Sequence, residues 1–129
     1  MTASTPHVPE HSALASLASR YVNVAALPWQ PTRFKGVELK ILMEDQATGL
    51  LTALTRFQPG AVLPDHEHVE LEQTFILEGA LEDEEGVASA GNYVWRPAGS
   101  RHTARAPNGC LALSFFLKPN RFLDSEAPR

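Results

Sequence analysis

The sequence predicts an all-β domain, either a sandwich or a barrel. Seven short runs of β-forming residues follow one another between Val37 and Leu117, and turn residues separate them. In the first run, V-E-L-K-I-L, apolar and charged residues largely alternate, which is typical of a strand with one buried face. The seven runs are Val37–Leu42, Gly49–Phe57, Ala61–Pro64, Glu72–Leu77, Asn92–Arg96, Thr103–Ala106 and Leu111–Leu117.

Turns containing Gly, Pro and Asp separate the predicted strands. One of them, Asp83–Gly86, overlaps an acidic run from Glu82 to Glu85 that invites comparison with a calcium-binding loop. The run lacks the alternating oxygen ligands of such a loop, so we interpret it as the solvated tip of a hairpin. The other turns are Pro59-Gly60, Pro97–Gly99 and Pro107–Gly109.

The N-terminal region carries no β-like pattern. Residues 1–11 contain two Pro, two Thr and one Ser, and we expect them to be flexible. Ser12 to Tyr21 could form a short helix with Ser12 as its N-cap. We therefore divide the chain into residues 1–20, a flexible tail or short helix, and residues 21–129, a single domain.

Two histidines in this tail, His7 and His11, have the spacing of a metal-binding pair on a helix. Pro9 lies between them and no cysteine is near them in the sequence. We interpret both as tail residues.

The composition indicates one globular domain and disfavours several kinds of partner. The 129 residues are 43% hydrophobic and 20% charged, which allows one domain with a real core. A net charge of −4 disfavours nucleic acid and anionic membranes as partners. No apolar stretch is long enough for a membrane span, and MTASTPHVPEH has no features of a secretory signal. Cys110 is the single cysteine, so we expect a reducing, cytoplasmic location and a packing role for its thiol.

Three of the five histidines fall in two short clusters that could hold a metal. His66 and His68 are two positions apart, so on a strand their side chains point to the same face and could reach one ion. A further ligand must come from a neighbouring strand, and Glu72 opens the next predicted strand. His102 follows the turn Pro97–Gly99 and could close the site from a more distant strand. Taken alone, the HxH pair could also be two imidazoles on an exposed strand face.

The spacing around these residues matches a longer pattern. Gly60 to Gly79 reads G-x5-HxH-x3-E-x6-G, and Gly91 to His102 reads G-x5-PxG-x2-H. These nine positions are the two sequence motifs of the cupin superfamily, and all nine are present without a gap. The chain therefore resembles the cupins over roughly residues 35–118. The family's second motif often ends in Asn four residues after its His, where this chain has Ala106.

The resemblance implies a fold and a metal site. Cupins are two-sheet antiparallel β-barrels, also called double-stranded β-helices, and here an extended N-terminal arm would precede the barrel. Carried over to this chain, the family's metal ligands are His66, His68, Glu72 and His102. Three imidazoles and one carboxylate suit one Fe(II), Mn(II), Zn(II), Ni(II) or Co(II) ion per chain. Four protein ligands leave two positions of an octahedral ion for water, O₂ or a substrate.

A narrower resemblance lies in the segment LEGALEDEEGVASAGNYVWRPAGSRHTARAPNGC. It is similar to the cupin domain of ChrR-type anti-sigma factors and to small bacterial stand-alone, dioxygenase-like cupins. Two functions follow from this resemblance. The first is a metal-dependent, dioxygenase-like enzyme acting on a small oxygenated substrate. The second is a non-enzymatic metal- or ligand-sensing cupin. The anti-sigma factors bind their sigma factor through a separate helical domain, which about 20 N-terminal residues could not supply, so we favour the enzyme.

Strand parity suggests which residues line a pocket beside the metal. Thr74 and Ile76 share the face of Glu72, and Ala104 shares the face of His102, so these three are the pocket candidates. Arg96, like Arg56 and Arg105, could orient an anionic substrate, but we expect a surface position for each. Aromatic residues in the strands could also line the pocket, although such residues usually pack.

We also expect a homodimer, because small cupins commonly pair sheet against sheet. The apolar segment from Val22 to Trp29 needs cover, which suggests that the N-terminal 20–35 residues pack on a neighbouring barrel.

Overall fold

A computed structural model describes residues 2–123, which form eleven β-strands and two short 3-10 helices. The 3-10 helices span Pro9–Ala13 and Val24–Ala26. The strands are β1 (Ala3–Ser4), β2 (Gln30–Pro31), β3 (Val37–Asp45), β4 (Leu50–Phe57), β5 (Ala61–Glu67), β6 (Glu72–Glu82), β7 (Val87–Ser89), β8 (Tyr93–Arg96), β9 (Arg101–Ala106), β10 (Cys110–Phe116) and β11 (Arg121–Phe122).

The strands form a curled antiparallel barrel of two sheets, as predicted. The first sheet has the order β1-β3-β4-β10-β6-β8, with β2 paired to the outside of β3. The second has β11-β5-β9, and β9 meets the end of β6, which also pairs with β7. Strand β6 therefore belongs to both sheets. Each of the seven predicted runs lies within or overlaps one of the longer strands.

Gly79 is the point where β6 passes from one sheet to the other. Its φ is +73°, and a Cβ atom there would lie 2.2 Å from the carbonyl oxygen of Gly109. Both the left-handed backbone and this close approach require glycine. The bend also changes which side chains face inward. Ile76 is buried before the bend and Leu81 after it, so the inward positions change from even to odd numbers.

The barrel interior is apolar at one end and polar at the other. Cys110 packs in the apolar part, where burial raises the pKa of its thiol to about 11, so it stays protonated at neutral pH. The apolar cluster consists of Phe34, Val37, Phe57, Ala61, Leu63, Ile76, Leu81, Ala104, Ala106, Cys110, Ala112 and Phe122. The buried polar side chains include the four predicted metal ligands.

A helix over Ser12–Tyr21 does not form, and that expectation is wrong. The helical turn lies earlier, over Pro9–Ala13, and the Ser12 hydroxyl donates a hydrogen bond back to the Pro9 carbonyl at 2.8 Å. The side chain of Leu17 is 97% exposed, so the apolar face that would stabilise a longer helix packs against nothing. Upstream, β1 pairs with the end of β3, so part of the tail is a strand.

The apolar segment after Tyr21 lies on the outside of its own barrel. Leu27 is buried there, and the Lys40 ammonium donates a hydrogen bond to the Val24 carbonyl at 2.9 Å. The guanidinium of Arg56 lies 4.1 Å from the ring centre of Trp29. Among residues 2–123, no helix is long and apolar enough to cross a lipid bilayer.

Candidate metal centre

The two histidine clusters meet on neighbouring strands of the second sheet. His66 lies near the end of β5 and His68 just beyond it, and His66 is the direct cross-strand partner of His102 on β9. Glu72 is the first residue of β6. The hydrogen bond from the His68 backbone N–H to the Ser100 carbonyl, 2.8 Å long, ties the first cluster to the second.

All three histidine rings lie together inside the barrel. Their ring centres are 5.0 Å apart for His66 and His68, 4.5 Å for His66 and His102, and 4.9 Å for His68 and His102. One nitrogen from each ring lies within 4.8 Å of the other two, and all three residues are buried. This three-histidine group can bind a metal. Glu72 is next to it, with Oε2 2.9 Å from Nε2 of His68.

The hydrogen bonds of the rings determine which nitrogen faces the centre of the group. Nδ1 of His66 lies 2.8 Å from the Pro64 carbonyl, and Nδ1 of His68 lies 3.0 Å from the Ser100 carbonyl. Nδ1 of His102 lies 2.7 Å from Oδ2 of Asp83. A carbonyl or an ionised carboxylate only accepts, so each Nδ1 carries the proton. Each neutral ring then has its lone pair on Nε2, as a metal ligand requires.

One atom of the group shows that the residues fit a cation. Nε2 of His68 is buried and has no hydrogen-bond partner, although the Oε2 atom of Glu72 is 2.9 Å away. With the proton on Nδ1, this contact brings two lone pairs together without a hydrogen between them. A buried unpaired acceptor is costly, and a divalent cation between the two atoms removes that cost. Three imidazole nitrogens and a carboxylate oxygen are a common donor set for a first-row divalent metal.

The electrostatics of the site favour neutral rings and an ionised carboxylate. Burial lowers the pKa of His66 to about 4 against the usual 6.5. Burial also lowers the pKa of His102, and the nearby charge of Arg96 acts in the same direction. For Glu72, burial raises the pKa, but the surrounding charges, among them that of Arg96, outweigh this and lower it. These pKa directions correspond to the protonation states in which His66, His102 and Glu72 bind a metal.

Asp83 also belongs to this site, which the sequence analysis did not predict. The interpretation of the acidic run as a solvated hairpin tip is wrong at this position, since only 4% of the Asp83 side chain is exposed. Its Oδ2 accepts hydrogen bonds from His102 and, at 2.9 Å, from Nη1 of Arg96. Burial raises the pKa of Asp83, but these partners and the backbone N–H groups of Glu85 and Gly86 outweigh it and hold the pKa at about 2.

Arg96 is likewise not the surface residue that we expected. Its side chain is 12% exposed, and its Nε lies 4.0 Å from Oε2 of Glu72 while its Nη1 contacts Asp83. Arg96 lies inside because its guanidinium is close to two buried carboxylates, those of Glu72 and Asp83. Asp83 is two residues after Leu81, on the inward parity that follows the Gly79 bend, and this change of parity is visible only in the structure.

The cavity beside the histidines is small. It has a volume of about 30 Å³, and its lining includes His66, His102 and two of the pocket candidates, Thr74 and Ala104. Ile76 does not line it; that side chain is fully buried further along β6. The volume corresponds to about one water molecule. A larger groove of about 530 Å³ lies on the outside of the barrel, and its lining includes His68, Arg96 and Trp95.

Comparison with known families decides the classification. Residues 17–119 match the ChrR cupin-like domain family. The chain belongs to this family of cupins. Among curated proteins, no match to this cupin was found.

Solved structures share the fold of this cupin. An acetylacetone dioxygenase from Acinetobacter johnsonii has a TM-score of 0.76 and 22% identity, with 90% of this chain and 88% of that chain covered. An RmlC-like cupin protein from Ralstonia eutropha JMP134 has a TM-score of 0.78 and 21% identity, with 88% and 80% covered. A chain in the structure of Rhodobacter sphaeroides SigE in complex with the anti-sigma ChrR has a TM-score of 0.62 and 28% identity, with 70% of this chain and 50% of that chain covered.

Proposed function

We propose that this cupin binds one divalent metal ion per chain through His66, His68, Glu72 and His102. The observation that carries the proposal is the common orientation of the three rings. Each Nδ1 is engaged by an acceptor, which leaves three Nε2 lone pairs and the Glu72 carboxylate oxygen facing one another. Without an ion, such a group of buried acceptors is unfavourable.

The donor set limits the metal to a class. Imidazole and carboxylate ligands suit Fe(II), Mn(II), Zn(II), Ni(II) or Co(II), and affinity alone does not choose among them. When bound, such an ion acts as a Lewis acid or, if it is redox-active, activates O₂ toward a chelating substrate. The chain's own contribution is to hold the four ligands deprotonated and oriented inside a largely closed barrel.

We propose that the metal serves a dioxygenase-like reaction on a small oxygenated substrate. Support comes from the polar lining of the cavity, where the Thr74 and Ser114 hydroxyls lie 3.0 Å apart and Asn120 is also present. Further support comes from the likeness over 90% of the chain to an acetylacetone dioxygenase. Arg96 lines both the cavity and the larger groove, so its guanidinium is placed to contact a substrate in the groove.

A second candidate function is a metal- or ligand-sensing domain, and the size of the cavity favours it. The cavity lined by His66 and His102 has a volume of about 30 Å³, close to that of one water molecule. The ChrR chain, which was solved in complex with SigE, supplies the corresponding precedent for part of the fold. In this case the bound ion would stabilise the barrel, or its binding would be the signal that the domain senses. A sigma factor would be the partner protein to test.

Oxygen uptake by wild type and a His102→Ala variant, each loaded with Fe(II) or with Zn(II), separates these functions. Small dicarbonyls and catechols serve as the substrate panel. For the enzyme we expect turnover with Fe(II) only, and its loss in the variant. Metal-dependent stabilisation without turnover under any metal contradicts the enzyme and supports the sensing domain.

We further propose a homodimer in which the outer face of the first sheet meets a second copy of the chain. Phe75 and Tyr93 are cross-strand partners on this face, and Trp95 and Phe115 both lie opposite Gln73 on its two sides. These four aromatic side chains are 40–56% exposed. A contiguous aromatic patch of this kind is typical of a protein interface.

The cytoplasm is the proposed compartment, since the single cysteine is buried and reduced.

A further inference from the structure

Asp83 reaches the metal centre from the end of β6, where the β6–β7 hairpin begins. It precedes His102 by 19 residues, yet its Oδ2 is 2.7 Å from Nδ1 of that ring. Both side chains are 4% exposed, so no solvent competes for this hydrogen bond.

The Asp83 carboxylate is held on both of its oxygens. Oδ1 accepts the backbone N–H groups of Glu85 at 2.8 Å and Gly86 at 3.1 Å, which closes a tight turn. Oδ2 accepts from His102 and from Nη1 of Arg96 at 2.9 Å. With four donors around it, the carboxylate cannot rotate, and it presents a fixed acceptor to the imidazole.

His102 differs from the other two histidines in what orients it. The Nδ1 atoms of His66 and His68 lie within hydrogen-bond distance of the backbone carbonyls of Pro64 and Ser100, which no side-chain substitution removes. Nδ1 of His68 also lies 3.0 Å from the Ser100 hydroxyl oxygen. The Nδ1 atom of His102 has a side-chain acceptor, Asp83. The ring that closes the group is therefore the one whose Nδ1 is held by a charged side chain in place of a backbone carbonyl.

We propose that Asp83 is a positioning residue of the metal centre, which keeps His102 in the Nδ1–H form so that its Nε2 lone pair faces the ion. The inference rests on the proposed metal binding. A hydrogen bond from a ligand histidine to a carboxylate fixes the ring and makes its free nitrogen a better donor. Arg96 supports this role because it pairs with the same Oδ2 atom and keeps the carboxylate ionised.

The substitution Asp83→Asn reverses the hydrogen-bonding pattern at one point. The backbone N–H groups of Glu85 and Gly86 select the amide oxygen for the Oδ1 position. The amide NH₂ then faces Nδ1 of His102, so the ring must accept there and carry its proton on Nε2. That form cannot bind a metal through Nε2. We expect a loss of about 10- to 100-fold in metal affinity.

The experiment combines Zn²⁺ titration calorimetry with ¹⁵N NMR of the histidine rings in the metal-free protein. Glu84→Gln is the matched control, since it removes one carboxylate charge from an exposed position in the same turn. Thermal unfolding of each metal-free variant measures the contribution of Asp83 to the stability of the metal-free fold. A purely structural role for Asp83 would lower this stability without changing the His102 tautomer or the Zn²⁺ affinity of the folded protein.

The expected result is an Nδ1–H form of His102 in wild type and in Glu84→Gln, an Nε2–H form in Asp83→Asn, and at least a tenfold weaker Zn²⁺ affinity in Asp83→Asn alone. If NMR shows that His102 in the wild-type protein carries its proton on Nε2, the inference is overturned whatever the variants show. Equal Zn²⁺ affinity in Asp83→Asn and wild type overturns it too and leaves the metal centre standing. If wild type binds no Zn²⁺, the proposed metal centre falls, and the inference falls with it.

Discussion

His66 and His102 lie directly opposite each other on the antiparallel strands β5 and β9, with ring centres 4.5 Å apart. The pairing brings together two residues that are 36 positions apart in the sequence. Because the backbone ladder sets their separation, the two rings are oriented before any ion arrives. Binding then costs little conformational entropy, which is the condition for a tight site.

The first prediction tests whether the histidines bind the ion. We expect His66→Ala to lower Zn²⁺ affinity by at least about tenfold, because an ion would lose one of its buried nitrogen ligands. Titration calorimetry with metal-free protein measures the effect. His7→Ala is the control, since His7 lies in the N-terminal tail outside the three-histidine group. Unchanged affinity in His66→Ala would contradict the assignment.

The second prediction concerns the carboxylate ligand. Glu72→Gln keeps the shape of the side chain but removes the charge, so Zn²⁺ affinity should fall by about 10- to 100-fold. Glu70→Gln is the control, because Glu70 has the same charge nearby but is exposed. Similar affinities for the two variants would show that the site is a three-histidine centre without Glu72.

The third prediction concerns the pH dependence of the metal-free protein. The pKa of His66 is about 4 in the folded state, against the usual 6.5 of an unburied imidazole. Unfolded chains therefore take up a proton on His66 at a higher pH than folded ones. The stability that this group contributes is complete above about pH 6.5 and is lost as the pH falls toward about 4. The difference between the two pKa values corresponds to roughly 3 kcal/mol.

Urea unfolding of wild type and His66→Gln near neutral pH and near pH 4.5 measures this effect, because the glutamine cannot be protonated. We expect the free energy of unfolding to fall more in wild type than in the variant between the two conditions. The same decrease in both proteins would show that burial does not keep His66 neutral.

The fourth prediction tests the outer aromatic face. Trp95 is 56% exposed next to other aromatic side chains, and Trp95→Glu places a charge in the proposed dimer interface. We expect sedimentation to give twice the chain mass of 14.1 kDa for wild type and the single mass for the variant. Leu17→Glu, at a 97% exposed position in the N-terminal region, should remain dimeric. A monomeric wild type at micromolar concentration would refute the dimer.

The local sequence pattern was sufficient to predict the long strands but not the two-residue strands. Alternation and turn residues placed β3, β4 and β10 to within a few positions, because their periodicity reflects one buried face. The two-residue strands β1 and β11 have no periodicity to detect, and they exist because β3 and β5 offer free edges. The expected helix over Ser12–Tyr21 failed since helix propensity without a packed face is too weak.

The pocket candidates also show what local sequence pattern cannot predict. Thr74 and Ala104 line the small cavity, whereas Ile76 shares the strand face of Thr74 but lies further along β6 and does not line it. Parity gives the face of a strand and says nothing about the height along the barrel axis. That height depends on how the sheets curl, which is a property of the whole fold.

The sequence by itself indicated the all-β class and the projection of His66 and His68 from one face of a strand. Both follow from spacings of a few residues, over which backbone geometry is nearly invariant. The candidate ligands Glu72 and His102 were predicted from the resemblance to the cupin motifs. Only the tertiary structure decided that Asp83 and Arg96 belong to the site. The bend at Gly79 turns the end of β6 inward, and the Asp83 carboxylate thereby meets a ring 19 residues further along the chain. Long-range contacts of this kind depend on strand pairing and sheet curvature, which local sequence pattern does not encode.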